Sequence, residues 1–125
     1  PGLLIYRFDA ALIFFNADRF KSRIRALIEE STVRPRRIIL DAETMPYLDT
    51  TGAASLEETV DEMAGQGIAF SLAQAKGQVR LLLERTGLTR KIGAGNLFPT
   101  LAAAVAASER NNCGSPDAAQ NGGLA

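Results

Sequence analysis

With 125 residues the chain is long enough to bury a core as one domain. Its 46% apolar and 22% charged residues are those of an ordinary globular protein. Fourteen basic residues balance fourteen acidic ones, so no net field draws it to nucleic acid or anionic lipid. Histidine is absent, which excludes Ser-His-Asp and Cys-His triads and removes the usual zinc ligands. No catalytic set and no metal site is therefore expected, and the chain is not read as an enzyme. The lone Cys113 cannot form an internal disulfide, which fits a reducing compartment. The longest apolar runs, "AALIFF" and "LAAAVAA", fall short of the roughly 20 residues that span a bilayer, and no signal-peptide pattern opens the chain. The expectation is a soluble unit, and the start at Pro1 instead of Met suggests a piece of something longer.

In chain order, "GLLIYRF" and "ALIFF" are short apolar, β-branched and aromatic runs parted at Asp9. They read as two strands of a hairpin. Asn16 stands as an N-cap, with Asp18 favourable for the dipole. Behind it Phe20, Ile24, Leu27 and Ile28 mark one face of an amphipathic helix. The basic loop "TVRPRR" leads into "IILDA", which reads as a buried parallel strand. After "DTTG", the spacing of Ala53, Leu56, Val60, Met63 and Ala64 predicts a second helix, ended by Gly65 or Gly67. "IAFSLAQA" is another buried strand. "KGQVRLLLERTGL" is a helix buried through Val79, Leu82 and Leu83 and closed by Gly87. "NLF" is a last edge strand, and Pro99 suits the first position of an Ala-rich helix. From Asn111 the sequence is polar and aperiodic, so 111–125 is expected to be a disordered tail behind a domain of 1–110. The whole predicts an α/β fold: a mostly parallel sheet of four to five strands, an antiparallel edge strand and about four helices. In such sheets function gathers beyond the carboxyl ends of the strands, and "DTTG" follows "IILDA" there.

Asp49, Thr50, Thr51 and Gly52 place two hydroxyls between an acid and a glycine at a helix start. Capping explains the residue types. A phosphate, either on Thr51 or on a bound nucleotide, would equally suit the unpaired N–H groups and the dipole. Asp49 would repel a phosphate on Thr51, so such a modification would act as a switch, and Gly52 lets another chain approach closely. Gln74 and Lys76 follow "FSLAQA" at the same edge, where Lys76 would compensate the phosphate. The acids Asp41 and Glu43 resemble only poorly the strand-end pair of aspartate-nucleophile phosphatases. "GAGN" lacks a third glycine, and no P-loop is present. Arg34, Arg36 and Arg37 read as a solvated basic loop or a contact for an acidic partner or anionic headgroups.

Four stretches, "PGLLIYRFDAALIFFNADRF", "RRIILDAETMPYLDTTG", "GIAFSLAQAKGQVRLLLERTGL" and "LFPTLAAAV", resemble in this order the STAS domain (sulfate transporter and anti-sigma factor antagonist) of SulP-type sulfate permeases. The resemblance covers residues 1–108. It implies an α/β regulatory and interaction domain on the cytoplasmic face of the membrane, with the anion pathway in a separate transmembrane region of the same permease as its partner. A regulatory protein is a further implied partner, and nucleic acid is not. In the anti-sigma factor antagonists the hydroxyl before the motif glycine receives phosphate from a kinase, a position that matches Thr51. Those proteins usually carry serine there. A free-standing antagonist switched at Thr51 is the alternative reading. No cofactor is implied, but the resemblance points to GTP or ATP as a regulatory ligand near Asp49, Thr50, Thr51, Gly52, Gln74 and Lys76.

Overall fold

The computed structural model describes residues 2–113. Four strands, β1 (Leu3–Arg7), β2 (Arg37–Asp41), β3 (Ala69–Ala73) and β4 (Leu97–Phe98), form one sheet in the order β1-β2-β3-β4. All three pairings are parallel, and β1 and β2 are matched from Leu3 opposite Arg37 to Arg7 opposite Asp41. The helices are α1 (Ala17–Glu30), α2 (Thr50–Gly65), α3 (Gly77–Arg85), α4 (Leu88–Ile92) and α5 (Leu101–Cys113), with a 3-10 turn over Ala94–Asn96. Parallel neighbours need right-handed crossovers. With the strands in sequence order, each crossover helix therefore lands on the same face.

That face carries the main core. Tyr6, Ile38, Leu40, Phe70 and Leu72 of the strands meet Phe20 and Ile24 of α1, Leu56 and Met63 of α2, and Leu83 and Leu88 of α3 and α4. Tyr6, Phe8 and Phe20 form an aromatic knot with ring centroids 5.2 to 6.2 Å apart. On the opposite face α5 alone covers Ile39 and Ala73, through Ala104, Leu101 and Val105. That cluster reaches Leu3 of β1 but leaves Ile5 43% exposed. Arg37 belongs to β2 and not to the preceding loop. Its half-buried guanidinium donates to Ser71 Oγ at 2.6 Å and Asn96 Oδ1 at 3.2 Å, and burial holds its pKa below the usual arginine value.

Several local expectations are met by hydrogen bonds. At the end of α2, Gly67 is left-handed (φ 76°), its N–H bonds Ala64 O at 3.1 Å, and Ile68 N–H reaches Met63 O at 2.8 Å. This is a Schellman closure, with Ile68 buried behind it. Gly87 closes α3 at φ 80° with Leu88 buried behind it.

Other expectations need correction. The antiparallel hairpin is not formed among the described residues: of "ALIFF" only Leu12 makes a bridge, parallel, to Leu48. Leu12 is fully buried while Phe14 and Phe15 are 72% and 85% exposed, so this run is a crossing loop and not a strand. Asn16 does not cap α1 with its side chain. Its amide turns back onto the loop, accepting from Ile13 N–H at 3.0 Å and donating to Ala11 O at 2.8 Å. Pro99 lies outside α5, whose start is capped by Thr100 Oγ1 accepting from Ala103 N–H at 3.0 Å. Ala64 is exposed. The helix α5 continues through Cys113, three residues into the predicted tail, and 114–125 lies outside the described residues.

Phe20 is fully buried against Tyr6 and Phe8. Phe20→Ala should lower unfolding free energy by about 3–5 kcal/mol, whereas exposed Phe15→Ala should change it by less than about 0.5 kcal/mol. Urea denaturation of both variants checks the pair.

Candidate functional site

The "DTTG" segment lies at the carboxyl edge of the sheet, where three loops converge. The loop after β1 brings Leu12 down between the neighbouring elements: its N–H donates to Tyr47 O at 3.1 Å, and its carbonyl accepts from Asp49 N–H at 3.2 Å. Asp49 then spans the junction. Its Oδ1 accepts from Gly52 N–H at 2.6 Å, capping α2, and its Oδ2 accepts from Phe14 N–H at 3.0 Å. Both carboxylate oxygens are thus engaged in holding the loop against the helix start.

Gly52 is needed for the same contact. A Cβ there would lie 2.7 Å from the Leu12 carbonyl carbon and closer still to its oxygen. The chain that approaches Gly52 is therefore the protein's own loop, which corrects the expectation of an outside visitor at this residue. Thr50 and Thr51, by contrast, are exposed. The backbone N–H groups of both donate to no protein acceptor among the described residues.

The start of α3 is tied to the same edge by a residue the sequence reading passed over. Gln78 pairs with the backbone of Leu48 on both sides, its Oε1 accepting from Leu48 N–H at 3.0 Å and its Nε2 donating to Leu48 O at 2.9 Å. Nothing in the sequence around Gln78 marks it, because its partner lies 30 positions away. Lys76 at the N-cap of α3 is exposed and forms no ion pair among the described residues. Gln74 is turned elsewhere: held at φ 64°, it donates through Nε2 to Asp41 Oδ1 at 3.1 Å. Asp41 is 3% exposed and also accepts from Glu43 N–H at 3.1 Å, so it fastens the turn after β2. The edge therefore gathers Asp49, Thr50, Thr51, Gly52 and the start of α3, while the Gln74 amide serves Asp41.

Among the described residues the sheet order never reverses, so they form no crevice of the strand-reversal kind. A cavity of about 380 Å³ lies between α3, α4 and β4, walled by Leu72, Leu83, Leu97 and Thr89. A groove of about 720 Å³ follows β1 beside α1. Neither is lined by Asp49, Thr50, Thr51 or Gly52. The "DTTG" edge thus presents Thr50 and Thr51 at the surface, outside both cavities.

Comparison with known proteins bears on what that edge belongs to. The family model for the STAS domain matches residues 1–104. The chain belongs to the STAS domain family. It is 34% identical over 110 residues to a probable sulfate transporter of Mycobacterium tuberculosis, a match covering 88% of this chain and 20% of that protein. The chain thus spans about a fifth of the length of the curated relatives it matches. The crystal structure of a sulfate transporter family protein from Wolinella succinogenes superposes with a TM-score of 0.79 at 22% identity, over 90% of this chain and 89% of that one. An anti-sigma factor antagonist from Mycobacterium paratuberculosis superposes with a TM-score of 0.72 at 21% identity, over 86% of each chain. At those identities the two structures establish the α/β fold of this STAS domain.

The clamp around Gly52 makes a stability prediction. Gly52→Ala forces Leu12 away from α2 and should cost about 1–3 kcal/mol or more; Asp49→Ala, which orphans the Gly52 and Phe14 N–H groups, should cost about 1–2 kcal/mol. Thr51→Ala should change stability by less than about 0.5 kcal/mol. Thermal unfolding of the three variants ranks them, and an unaffected Gly52→Ala would contradict the contact.

Proposed function

We propose that this STAS domain is the cytoplasmic regulatory and docking module of a SulP-type sulfate or anion permease. The observation that carries the reading is the match of nearly the whole chain to only a fifth of a sulfate transporter. The matched segment is a compact α/β unit, and no described helix is long and apolar enough to cross a membrane. The anion pathway belongs to the rest of such a permease, and this domain would act on it through surface contacts. Removing residues 1–113 from the parent permease should lower sulfate uptake in reconstituted vesicles or its delivery to the membrane. Unchanged uptake together with unchanged membrane abundance would refute the regulatory role.

The rim at Thr50 and Thr51 is the surface we assign to control. Two free N–H groups at the start of a 16-residue helix, two exposed hydroxyls and exposed Lys76 at the next helix start favour an anionic phosphate group. GTP or ATP is the regulatory ligand proposed, held by Thr50, Thr51 and Lys76, with Asp49, Gly52 and Gln74 shaping the edge behind them. The exposure of Thr51 also supports the second reading, a phosphorylation switch of the anti-sigma factor antagonist type responding to a regulatory protein kinase. One set of measurements separates them. Titrating GTP or ATP should shift the amides of Thr50, Thr51 and Lys76, and Lys76→Ala should weaken binding by about ten-fold. A phosphorylation switch would instead add one phosphate by intact mass in the presence of its kinase, lost in Thr51→Ala, with no nucleotide-dependent shifts.

A further inference from the structure

The cavity between α3, α4 and β4 has a structural cause. β4 is two residues long and pairs only with Leu72 and Ala73 of β3, and α4 is five residues long. Elements this short bring few side chains to fill the layer between sheet and helices, and about 380 Å³ is left there. All of its lining residues fall between 72 and 99, so every wall lies inside the described chain. Leu72 and Leu83, both buried, line it together with the half-buried Ala75 and Leu97 and the exposed Pro99.

Two polar features interrupt these apolar walls. Thr89 lines the cavity, and its Oγ1 is buried with no hydrogen-bond partner among the described residues. A buried hydroxyl left unpaired is costly, and native structures rarely leave one so. Arg80 and Glu84 of α3 also line the cavity; both are mostly exposed, with Arg80 Nε 3.8 Å from Glu84 Oε2. At that distance they form an ion pair without a hydrogen bond. An exposed pair of this kind is weak, so the guanidinium is available to a better acceptor. Size and charge then narrow the occupant. At a water's share of liquid volume, about 30 Å³, per non-hydrogen atom, the cavity holds about a dozen such atoms. One cation beside one acid accepts a single negative charge and disfavours two, which sets sulfate and the phosphates aside.

We propose that this cavity is a binding site for a small amphipathic monocarboxylate whose apolar body carries one hydroxyl or carbonyl group. The body packs on Leu72, Leu83 and Leu97, and the carboxylate takes the place of Glu84 on Arg80, where a bidentate pair is open to it. The inner oxygen gives the Thr89 hydroxyl the partner it lacks. None of Asp49, Thr50, Thr51 and Gly52 lines the cavity, so the site stands independently of the nucleotide reading. A ligand there bears on α3, the helix whose Gln78 holds Leu48 beside the "DTTG" segment.

The probe is phloretate, a phenol bearing a propionate arm, titrated into the methyl-labelled 125-residue chain. It should shift the methyl signals of Leu72, Leu83, Thr89 and Leu97 saturably. It should also bind about ten-fold more tightly than hydrocinnamate, which lacks the hydroxyl. Thr89→Val keeps the side-chain shape without the hydroxyl and should erase that preference. Arg80→Gln should weaken phloretate binding by about ten-fold. Tyramine, with an ammonium group in place of the carboxylate, should not bind. Neither variant endangers the fold: Thr89→Val removes an unpaired buried hydroxyl and should leave the melting temperature unchanged or raised, and Arg80 is mostly exposed. No saturable shift with phloretate, equal binding of hydrocinnamate or tyramine, or undiminished affinity in Arg80→Gln would each overturn the proposal. So would shifts that develop only after residues 114–125 are removed, since those residues would then be the occupant.

Discussion

The contact on which the rest of the site depends is that of the Leu12 carbonyl against the Cα of Gly52. The loop after β1 must pass over the start of α2, and only a glycine lets a backbone carbonyl come that close. Asp49 then locks the crossing from both sides, taking the Gly52 N–H with one oxygen and the Phe14 N–H with the other. Leu12 and Leu48, fully buried and bridged to each other, close the space underneath. Loop, strand end and helix start are thereby one rigid unit, and the direction in which Thr50 and Thr51 face follows from it.

This arrangement divides the four residues of the motif into two pairs with opposite duties. Asp49 and Gly52 face inward and serve the fold; Thr50 and Thr51 face outward and serve nothing inside it. Capping, which explains the residue types when only the sequence is read, falls to Asp49 and leaves the two threonines free of it; the ligand recognition proposed above rests on Thr50 and Thr51. The inward pair also prepares the outward one. By satisfying the Gly52 N–H, Asp49 leaves the two earlier N–H groups of the turn as the free donors, and its own charge is spread over two internal hydrogen bonds.

Elements whose signals are local were legible in the sequence. The strands "IILD" and "AFSLA" are continuous apolar runs because both faces are covered, and α1 and α2 carry the 3.6-residue period that burial on one face imposes. The Gly67 and Gly87 closures were legible because a left-handed turn selects its residue. The run "ALIFF" was not, since hydrophobicity does not distinguish Leu12, fully buried, from Phe15, 85% exposed. What separates them is the crossing at Gly52, a tertiary event. Asn16 shows the same limit: it has the residue type of a cap, yet two closer partners in its own loop win its amide. Gln78 was invisible for a related reason, because a side chain that imitates a strand partner leaves no periodic trace.

The rotation of α2 about its own axis is a separate constraint, and apolar packing alone leaves it loosely set. Its buried stripe, with Ala53, Leu56, Val60 and Met63, tolerates some roll against a smooth sheet face. Charged pairs on both flanks oppose that roll. Lys21 and Arg25 of α1 hold Glu58 and Glu62 at 2.7 and 2.8 Å, while Lys91 of α4 holds Glu57 and Asp61 at 2.9 and 3.0 Å. Exposed pairs of this kind contribute little to stability, but their geometry is restrictive, because rolling α2 either way stretches the pairs on one flank. Thr50 and Thr51 lie on the first turn of the same helix, two to three turns before these acids, so the pairs reinforce the direction that the crossing at Gly52 gives the two threonines. The crossing aims the rim, the flank pairs resist the roll of α2 that would turn it, and the core beneath supplies the energy that keeps the helix in place.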